Sequence, residues 1–287
     1  MGPALILIYI SIYLGLVATA FYVLGYHSDK KKKKQLFTDA ELPKVSIIIP
    51  VWNEEKSVAR TLESIFSSDY PSKKFEVILV DNNSKDKTMQ IAKKIQQKHT
   101  KLKIYHETKQ GKGCALNLGI KKASGDIIFS MDADTLVEPQ SVKEMARYFK
   151  NPEITSVTPS MLIYKPKGIL QRVQQAEYLF GLFIRKAFTS VNGIHVTPGA
   201  FSAYRKTFFD KYGGYDENNI TEDLEMSLRI QYEGHSIEYS PESPAYTIAP
   251  NTFKALMVQR RRWYAGLMRN TWKYKGLISP KYGDLGI

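Results

Sequence analysis

The chain has 287 residues, of which 43% are hydrophobic, and carries a formal net charge of +13. That length and apolar content fit one large domain or two small ones with a sizeable core, and exclude a chain too polar to fold. The single cysteine, Cys114, excludes an intramolecular disulfide and agrees with a reducing compartment.

Residues 3–25 carry no charge and no polar face, which suits a helix crossing a hydrocarbon core about 30 Å thick. No basic residue precedes this run and no small-x-small cleavage site follows it, so it reads as an anchor and not as a signal peptide. Five lysines at 30–34 follow at once, a pattern that holds that end of a span in the cytoplasm and attracts anionic headgroups. Without those five lysines the net charge of +13 falls to +8, still enough to attract phosphates, lipid headgroups or nucleic acid.

Beyond the lysines, strand patterns alternate with helical ones. Residues 44–50, 75–80, 101–106 and 127–131 read as strands, and 54–67, 85–98 and 113–123 as helices. This is the pattern of an α/β fold built on a mainly parallel sheet, whose ligands gather beyond the carboxyl ends of the strands. Asn53 and Glu54, Asp81, and Asp132-Ala133-Asp134 all stand at those ends. Two carboxylates spaced i, i+2 where a buried strand runs out suit a hard cation, Mg²⁺ or Mn²⁺, that takes its other ligands from phosphates and water. The same residues also suit a loop that caps the next helix.

Further along, Lys109-Gln110-Gly111-Lys112-Gly113 joins two glycines and a lysine to a helix start, a setting for phosphate, but it lacks the Walker spacing. Residues 168–188 form a helix whose apolar surface is wider than one core-facing stripe, so it packs on both sides or meets the bilayer. Gly199, within the small-residue stretch 197–205, leaves room for a close approach or a tight turn. Thr221-Glu222-Asp223 opens an amphipathic helix, with Thr221 a good N-cap and the acids favourable to the helix dipole. Residues 253–275 read as an interfacial amphipathic helix, aromatics inward and cations toward headgroups, carrying Gln259-Arg260-Arg261-Arg262-Trp263. His195 and His235 form no metal-ligand spacing. The domain layout expected is a transmembrane helix at 1–28, a basic linker at 29–43, a catalytic domain at 44–252 and an interface segment at 253–287.

Taken in order, Pro50-Val51-Trp52-Asn53-Glu54, Asp81-Asn82-Asn83-Ser84, Lys109 to Gly113, Asp132-Ala133-Asp134, Thr221-Glu222-Asp223 and Gln259 to Trp263 resemble the motif series of family-2 glycosyltransferases with the GT-A fold. More narrowly they resemble the membrane synthase branch that includes cellulose, hyaluronan and poly-N-acetylglucosamine synthases. The resemblance implies that Pro50, Asn53, Glu54, Asp81, Lys112, Asp132 and Asp134 bind the nucleotide-sugar donor, with Asp81 accepting from a uracil N–H and Asp134 and Asp132 holding the metal. It implies that Asp223 is the general base, and that Gly199, Glu222, Gln259, Arg262 and Trp263 serve acceptor or diphosphate. The Gln-x-x-Arg-Trp pattern separates the chain from dolichyl-phosphate sugar synthases.

The expected activity is inverting, metal-dependent transfer from a nucleotide-sugar, a UDP-sugar first, to a glycan or lipid-linked acceptor at the cell membrane. The catalytic domain is expected on the cytoplasmic side, with membrane lipids as partners and no nucleic acid. Transfer of mannose or glucose to a polyprenyl phosphate or glycolipid is the second enzymatic reading, and a nucleotide-sugar sensor the non-enzymatic one. Synthase-branch proteins continue into further membrane helices, whereas this sequence stops at Ile287. A short member or a truncated chain is therefore expected, and the resemblance carries no expectation of processivity.

Overall fold

The computed structural model describes residues 2–28, 37–189, 192–194, 196–279 and 282. The lysine block at 30–34 and His195 lie outside the described residues. The first helix, α1 (Pro3–Ser28), is the one described helix long and apolar enough to cross a membrane. An α/β domain of the GT-A type follows. Strands β1 (Val45–Val51), β2 (Phe75–Asp81), β3 (Leu102–His106) and β4 (Ile127–Met131) alternate with helices α2 (Val58–Phe66), α3 (Thr88–Lys98) and α4 (Lys112–Lys122). After β4 come β5 (Leu136–Val137), α5 (Ser141–Arg147), β6 (Ile154–Ile163), α6 (Gly168–Thr189), β7 (Phe201–Arg205), α7 (Lys206–Tyr212), α8 (Glu222–Tyr232), β8 (Ser236–Thr247) and α9 (Phe253–Lys273).

All eight strands join one sheet in the order β3-β2-β1-β4-β7-β6-β8-β5. The β3-β2-β1-β4 part is parallel throughout, as the alternating pattern requires. Beyond β4 the sheet is mixed: β7 runs antiparallel to both β4 and β6, and β6 and β8 are parallel. Strands β1 and β2 are β-branched and aliphatic and almost entirely buried, because helices cover both faces. One core lies under α2 and α5 around Ile47, Leu79 and Phe129. The other lies under α4 and α8 around Ile48, Leu116, Tyr204 and Met226.

Two helix starts differ from the sequence reading. The α2 helix begins at Val58, not at Glu54, and α3 begins at Thr88, not at Lys85. In both cases the residues before the helix are tied across to the other loop. Lys85 N donates to Asn53 Oδ1 at 2.8 Å, Glu55 N to Asp86 Oδ2 at 3.1 Å and Lys87 N to Glu55 Oε2 at 3.1 Å. Such mutual ties compete with helical hydrogen bonds and delay both helices. Thr221 stands at the N-cap of α8, but its side chain makes no capping bond.

The polarity of α9 is the reverse of the expected one. Its inward side is polar, with Asn270 fully buried and Lys273 bonded to Glu225 and Asp216. Tyr264, Met268 and Trp272 are exposed instead. The packing cause is close helix contact at Gly266, where any inward aromatic would collide with α8. The α6 helix packs on β6 and on α1, leaving Ile169, Val173 and Phe180 exposed. Its contact with α1 is aromatic: Tyr26 stacks on Phe183 at 5.3 Å, and Phe21 and Tyr22 each meet Phe188 at 6.0 Å.

Candidate active site

The loop after β4 and the starts of α4 and α8 meet at a cleft, and the carboxyl ends of β1 and β2 lie outside its wall. Burial of hydrophobic strands on both faces forces their polar terminal residues out at the sheet edge, which is why the acids gather there. Asp132 and Asp134 follow β4 in a loop held from three directions. Asp132 N donates to Ala200 O at 2.9 Å, Thr135 N to Asp132 O at 3.1 Å, and Thr61 Oγ1 to Ala133 O at 2.8 Å.

Burial, with the neighbouring charges of Asp132 and Glu54, pushes the Asp134 carboxyl up from its ordinary value of 3.8 to about 6. A crowded set of carboxylates lacking sufficient cationic charge is what a divalent ion relieves. Among the described residues no three metal-binding side chains cluster at ligand distance. A pair of carboxylates is a donor set that would suit Mg²⁺ or Mn²⁺ if phosphate and water filled the other positions.

The cation at the centre is Lys112, the first residue of α4. Its Nζ lies 2.7 Å from Asp132 Oδ1, 3.0 Å from Glu222 Oε1 and 3.4 Å from Gly199 O. Burial alone would favour the neutral amine. The carboxylates of Asp132, Glu222 and Asp223 outweigh it and hold the ammonium well above its ordinary pKa.

Asp223, one position into α8 from Glu222, has its Oδ2 hydrogen bonded by Gly199 N at 2.9 Å and its Oδ1 by Leu224 N at 2.8 Å. Burial and the adjacent Glu222 raise its pKa, against the opposing pull of Lys112 and these two N–H groups. A part-buried carboxylate with a raised pKa, held by two backbone donors, has the chemistry of a proton acceptor. Gly199 lines the cleft, and a Cβ there would meet Asp223 Oδ2 at 2.9 Å and Lys112 Nζ at 3.0 Å, so the missing side chain makes room for these two groups. Thr197 supports the same arrangement from below, its Oγ1 2.7 Å from Ser227 Oγ and 3.3 Å from Asp223 O.

The nucleotide-side residues are placed differently. Asp81 is buried at the end of β2, with Oδ1 accepting from Ser84 N at 3.1 Å and Oδ2 3.0 Å from His106 Nδ1. His106 is half exposed and shares this carboxylate; sequence reasoning missed it because its partner is 25 residues away. Pro50 lies within β1, paired with Val80. Asn53 adopts a left-handed φ of 56° and spends its side-chain oxygen on Lys85 N. Glu54 accepts from Ser57 Oγ and stands within electrostatic reach of Asp134.

Asn82 is a second missed residue. Its side chain accepts from Gly111 N at 2.7 Å and donates to Lys109 O at 2.8 Å, which shapes the glycine–lysine loop. Of the two glycines there, Gly111 needs its φ of 142°, whereas Gly113 packs on the backbone of Glu217.

A cleft of about 580 Å³ extends from Lys112, Asp132 and Asp223 past Gln259, Arg262 and Trp263 of α9. The expected donor residues Pro50, Asn53, Glu54, Asp81 and Asp134 are not in its wall. Arg260, not singled out from the sequence, pairs with Glu177 of α6 and lies 4.7 Å over the Trp263 ring. It thus fixes Trp263 by a cation–π contact and bridges two helices.

The start of α8 is joined to α9 by a polar latch that sequence reasoning missed entirely. Asn270 Nδ2 donates to Thr221 Oγ1 at 3.0 Å, and Asn219 Nδ2 to Asn270 Oδ1 at 2.8 Å. Thr221 is thereby diverted from capping. One turn earlier, a Cβ on Gly266 would sit 2.1 Å from Thr221 Oγ1. Only the paired geometry of two helices shows this, since neither asparagine belongs to a motif.

Residues 46–213 match the family model described as glycosyl transferase family 2. The poly-beta-1,6-N-acetyl-D-glucosamine synthase of Staphylococcus epidermidis is 30% identical over 275 residues, covering 92% of this chain and 65% of that relative. The Staphylococcus aureus (strain COL) enzyme of the same description is 29% identical over 262 residues, covering 90% and 63%. The chain thus spans a little under two-thirds of the length of these relatives.

Among solved structures, the mannosyltransferase PcManGT from Pyrobaculum calidifontis, in complex with GDP-Man and Mn²⁺, superposes with a TM-score of 0.73 at 23% identity, covering 92% of this chain and 74% of that one. The S. aureus TarS fragment 1–349 in complex with UDP-GlcNAc gives a TM-score of 0.57 at 20% identity, covering 73% and 59%. At these identities the structural likeness establishes the GT-A fold.

Two outcomes test the site as built. Folding raises the Asp134 pKa, so the folded chain holds that proton more tightly than the unfolded one, and stability falls as pH rises from about 4 through about 6. In EDTA and without nucleotide, Asp134→Asn should therefore be more stable than the parent by about 1–2 kcal/mol at pH 7.5, after discounting for solvent screening. The gap should close toward pH 4, as read by thermal unfolding in detergent.

Gly266→Ala should destabilise the chain by about 1–3 kcal/mol through overpacking. Adding Thr221→Ala, which removes the two nearest atoms it strikes, should recover part of the loss.

Proposed function

The chain belongs to glycosyl transferase family 2, and from that premise we propose that it is a membrane-anchored, inverting transferase moving a sugar from a UDP-sugar to a hydroxyl of a membrane-associated acceptor. The observation that carries the reading is the bridge formed by Lys112. One ammonium lies within 3.0 Å of both Asp132, on the metal loop, and Glu222, next to Asp223. This contact supports a reading in which donor phosphates and the proton acceptor flank a single reacting centre.

Asp132 and Asp134 would hold the metal ion, which when bound supplies charge neutralisation for the diphosphate. Asp81, His106 and the 53–54 segment stand where a nucleoside would lie, and a carboxylate there matches a uracil N–H, acceptor to donor. The acceptor enters the cleft over Trp263, whose apolar face suits the C–H side of a sugar.

As the acceptor oxygen bonds to the anomeric carbon, its proton passes to Asp223, and the bond from that carbon to the diphosphate oxygen breaks with its electron pair. Lys112 and Arg262 offset the charge that develops on the leaving group. No enzymatic nucleophile is invoked, so a single displacement inverts the centre, and an α-linked donor yields a β-linked product.

The relatives described as poly-beta-1,6-N-acetyl-D-glucosamine synthases make UDP-N-acetylglucosamine the first donor to test. The 25-residue apolar stretch of α1 and the lysines that follow support a cytoplasmic catalytic domain.

A screen of nucleotide sugars with Mg²⁺ or Mn²⁺, reading released nucleoside diphosphate, tests the activity. EDTA should abolish release, and full turnover in EDTA would overturn the metal assignment. Asp223→Asn should lower transfer by about 10²–10⁴ and leave nucleotide affinity within a few-fold by calorimetry. If it weakened nucleotide binding as severely as Asp132→Asn, Asp223 would belong to the donor pocket instead.

A further inference from the structure

The cleft does not end at Trp263. It continues along α6 past Gly181, Leu182 and Arg185 to Phe188, and is walled opposite by Ile194 and Val196. Glu177 and Arg185 are eight residues apart on α6, so Arg185 lies about 12 Å farther along the helix than the contact of Glu177 with Arg260.

Arg185 is a charge without a counter-ion. Its single hydrogen bond is a long one, Nη1 to Pro159 O at 3.4 Å, and among the described residues no carboxylate lies within ion-pair distance of it. Burial lowers its pKa, and the groups that oppose this are the phenols of Tyr239 and Tyr178. Glu177, the nearest acid on the same helix, is taken by Arg260. A guanidinium in such surroundings is costly unless something anionic meets it.

Its height relative to the membrane identifies what that is. The α1 and α6 helices run antiparallel, with Tyr26 against Phe183, and Phe21 and Tyr22 against Phe188. The neighbouring Lys186 lies 4.3 Å over the Tyr26 ring. Arg185 therefore stands level with the last turns of the apolar stretch Pro3–His27, which on the membrane-anchored reading is where headgroups would give way to hydrocarbon. Apolar walls continue from it toward the bilayer side, and the polar catalytic end lies the other way.

We propose that Arg185 receives the phosphate of a lipid-linked acceptor, a long-chain lipid phosphate bearing at least one sugar, whose chain leaves along Leu182, Phe188 and Val196 while its sugar reaches Asp223. This deepens the function proposed above and rests on it for the identity of the reacting end. An uncharged glycan would satisfy Trp263 but leave Arg185 unmet.

The test uses the full chain in nanodiscs of neutral lipid, with farnesyl phosphate, farnesol and inorganic phosphate as probes measured by calorimetry. Farnesyl phosphate should bind at least about tenfold more tightly than farnesol, the scale of a charge-assisted hydrogen bond, and inorganic phosphate should bind weakly. Arg185→Gln should erase the preference, and Arg185→Lys should keep part of it. Val196→Trp, which obstructs the tail path and leaves the charge alone, should weaken farnesyl phosphate but not inorganic phosphate.

Equal binding of farnesol and farnesyl phosphate would overturn the proposal. So would inorganic phosphate matching the lipid, which would mark a site for free phosphate. Should Arg185→Gln not fold, the comparison of the three probes on the parent chain still decides. Acceptor-independent hydrolysis of the nucleotide sugar by the parent chain is read in parallel. Its absence would count against the transferase reading, and a missing lipid preference alongside it would count against Arg185 alone.

Discussion

The geometry of the site depends on one ammonium group. Asp132, Glu222 and Asp223 come from segments far apart in sequence and would repel one another if brought together unscreened. Lys112 makes their convergence affordable, because it contacts two of them directly and its charge is felt by the third. Its position follows from the backbone: it is the first residue of α4, just after a glycine with φ 142° whose N–H is held by Asn82. The glycine–lysine loop therefore delivers a cation between the Asp132 loop and the Glu222–Asp223 start of α8. The cluster remains short of positive charge at Asp134, where burial and the charges of Asp132 and Glu54 push the carboxyl up to about 6.

A second constraint sets where the acceptor side stands. The α9 helix carries Gln259, Arg262 and Trp263, yet little of its surface is buried against the domain. It is located by a close approach at Gly266, by the Asn270–Thr221–Asn219 hydrogen bonds, and by Glu225, a buried acid shared among Arg229, Lys273 and Tyr274. These contacts are directional where apolar packing is not, so they set the rotation of α9 as well as its distance. The same seam begins at Thr221, two residues before the base. Asp223 and the Gln259–Trp263 stretch thus share one anchor, and Tyr264, Met268 and Trp272 on the outward face of α9 are left exposed.

The α6 helix links the membrane to this arrangement. One side meets α1 through stacked and edge-to-face aromatic rings, and another carries Glu177, which holds Arg260 against Trp263. A displacement of α6 relative to α1 would therefore be transmitted through Arg260 to the Trp263 ring.

The sequence by itself determined the alternation of strands and helices through residue 131, the apolar span, and the identities of the acids at the strand ends. Those properties are local: a β-branched run bounded by turn residues, or an apolar stretch with no polar face, carries its own physical signal. It also marked Asp132, Asp134, Asp223 and the Gln259–Trp263 stretch, because short motifs preserve chemistry at fixed spacing.

Tertiary structure alone decided three further matters. The first is what each residue is used for: Gly199 yields its space to Asp223, Thr221 gives up capping to bond Asn270, and Asn53 ties down Lys85. The second is which way α9 faces. Helical periodicity ranks the faces of a helix but cannot say which one meets a neighbour whose surface is itself polar. The third is the set of partners separated by tens of residues, His106 with Asp81 and Arg260 with Glu177. Such pairs leave no trace in a single chain read in order, because the distance that matters between them is created only when the sheet and its helices close.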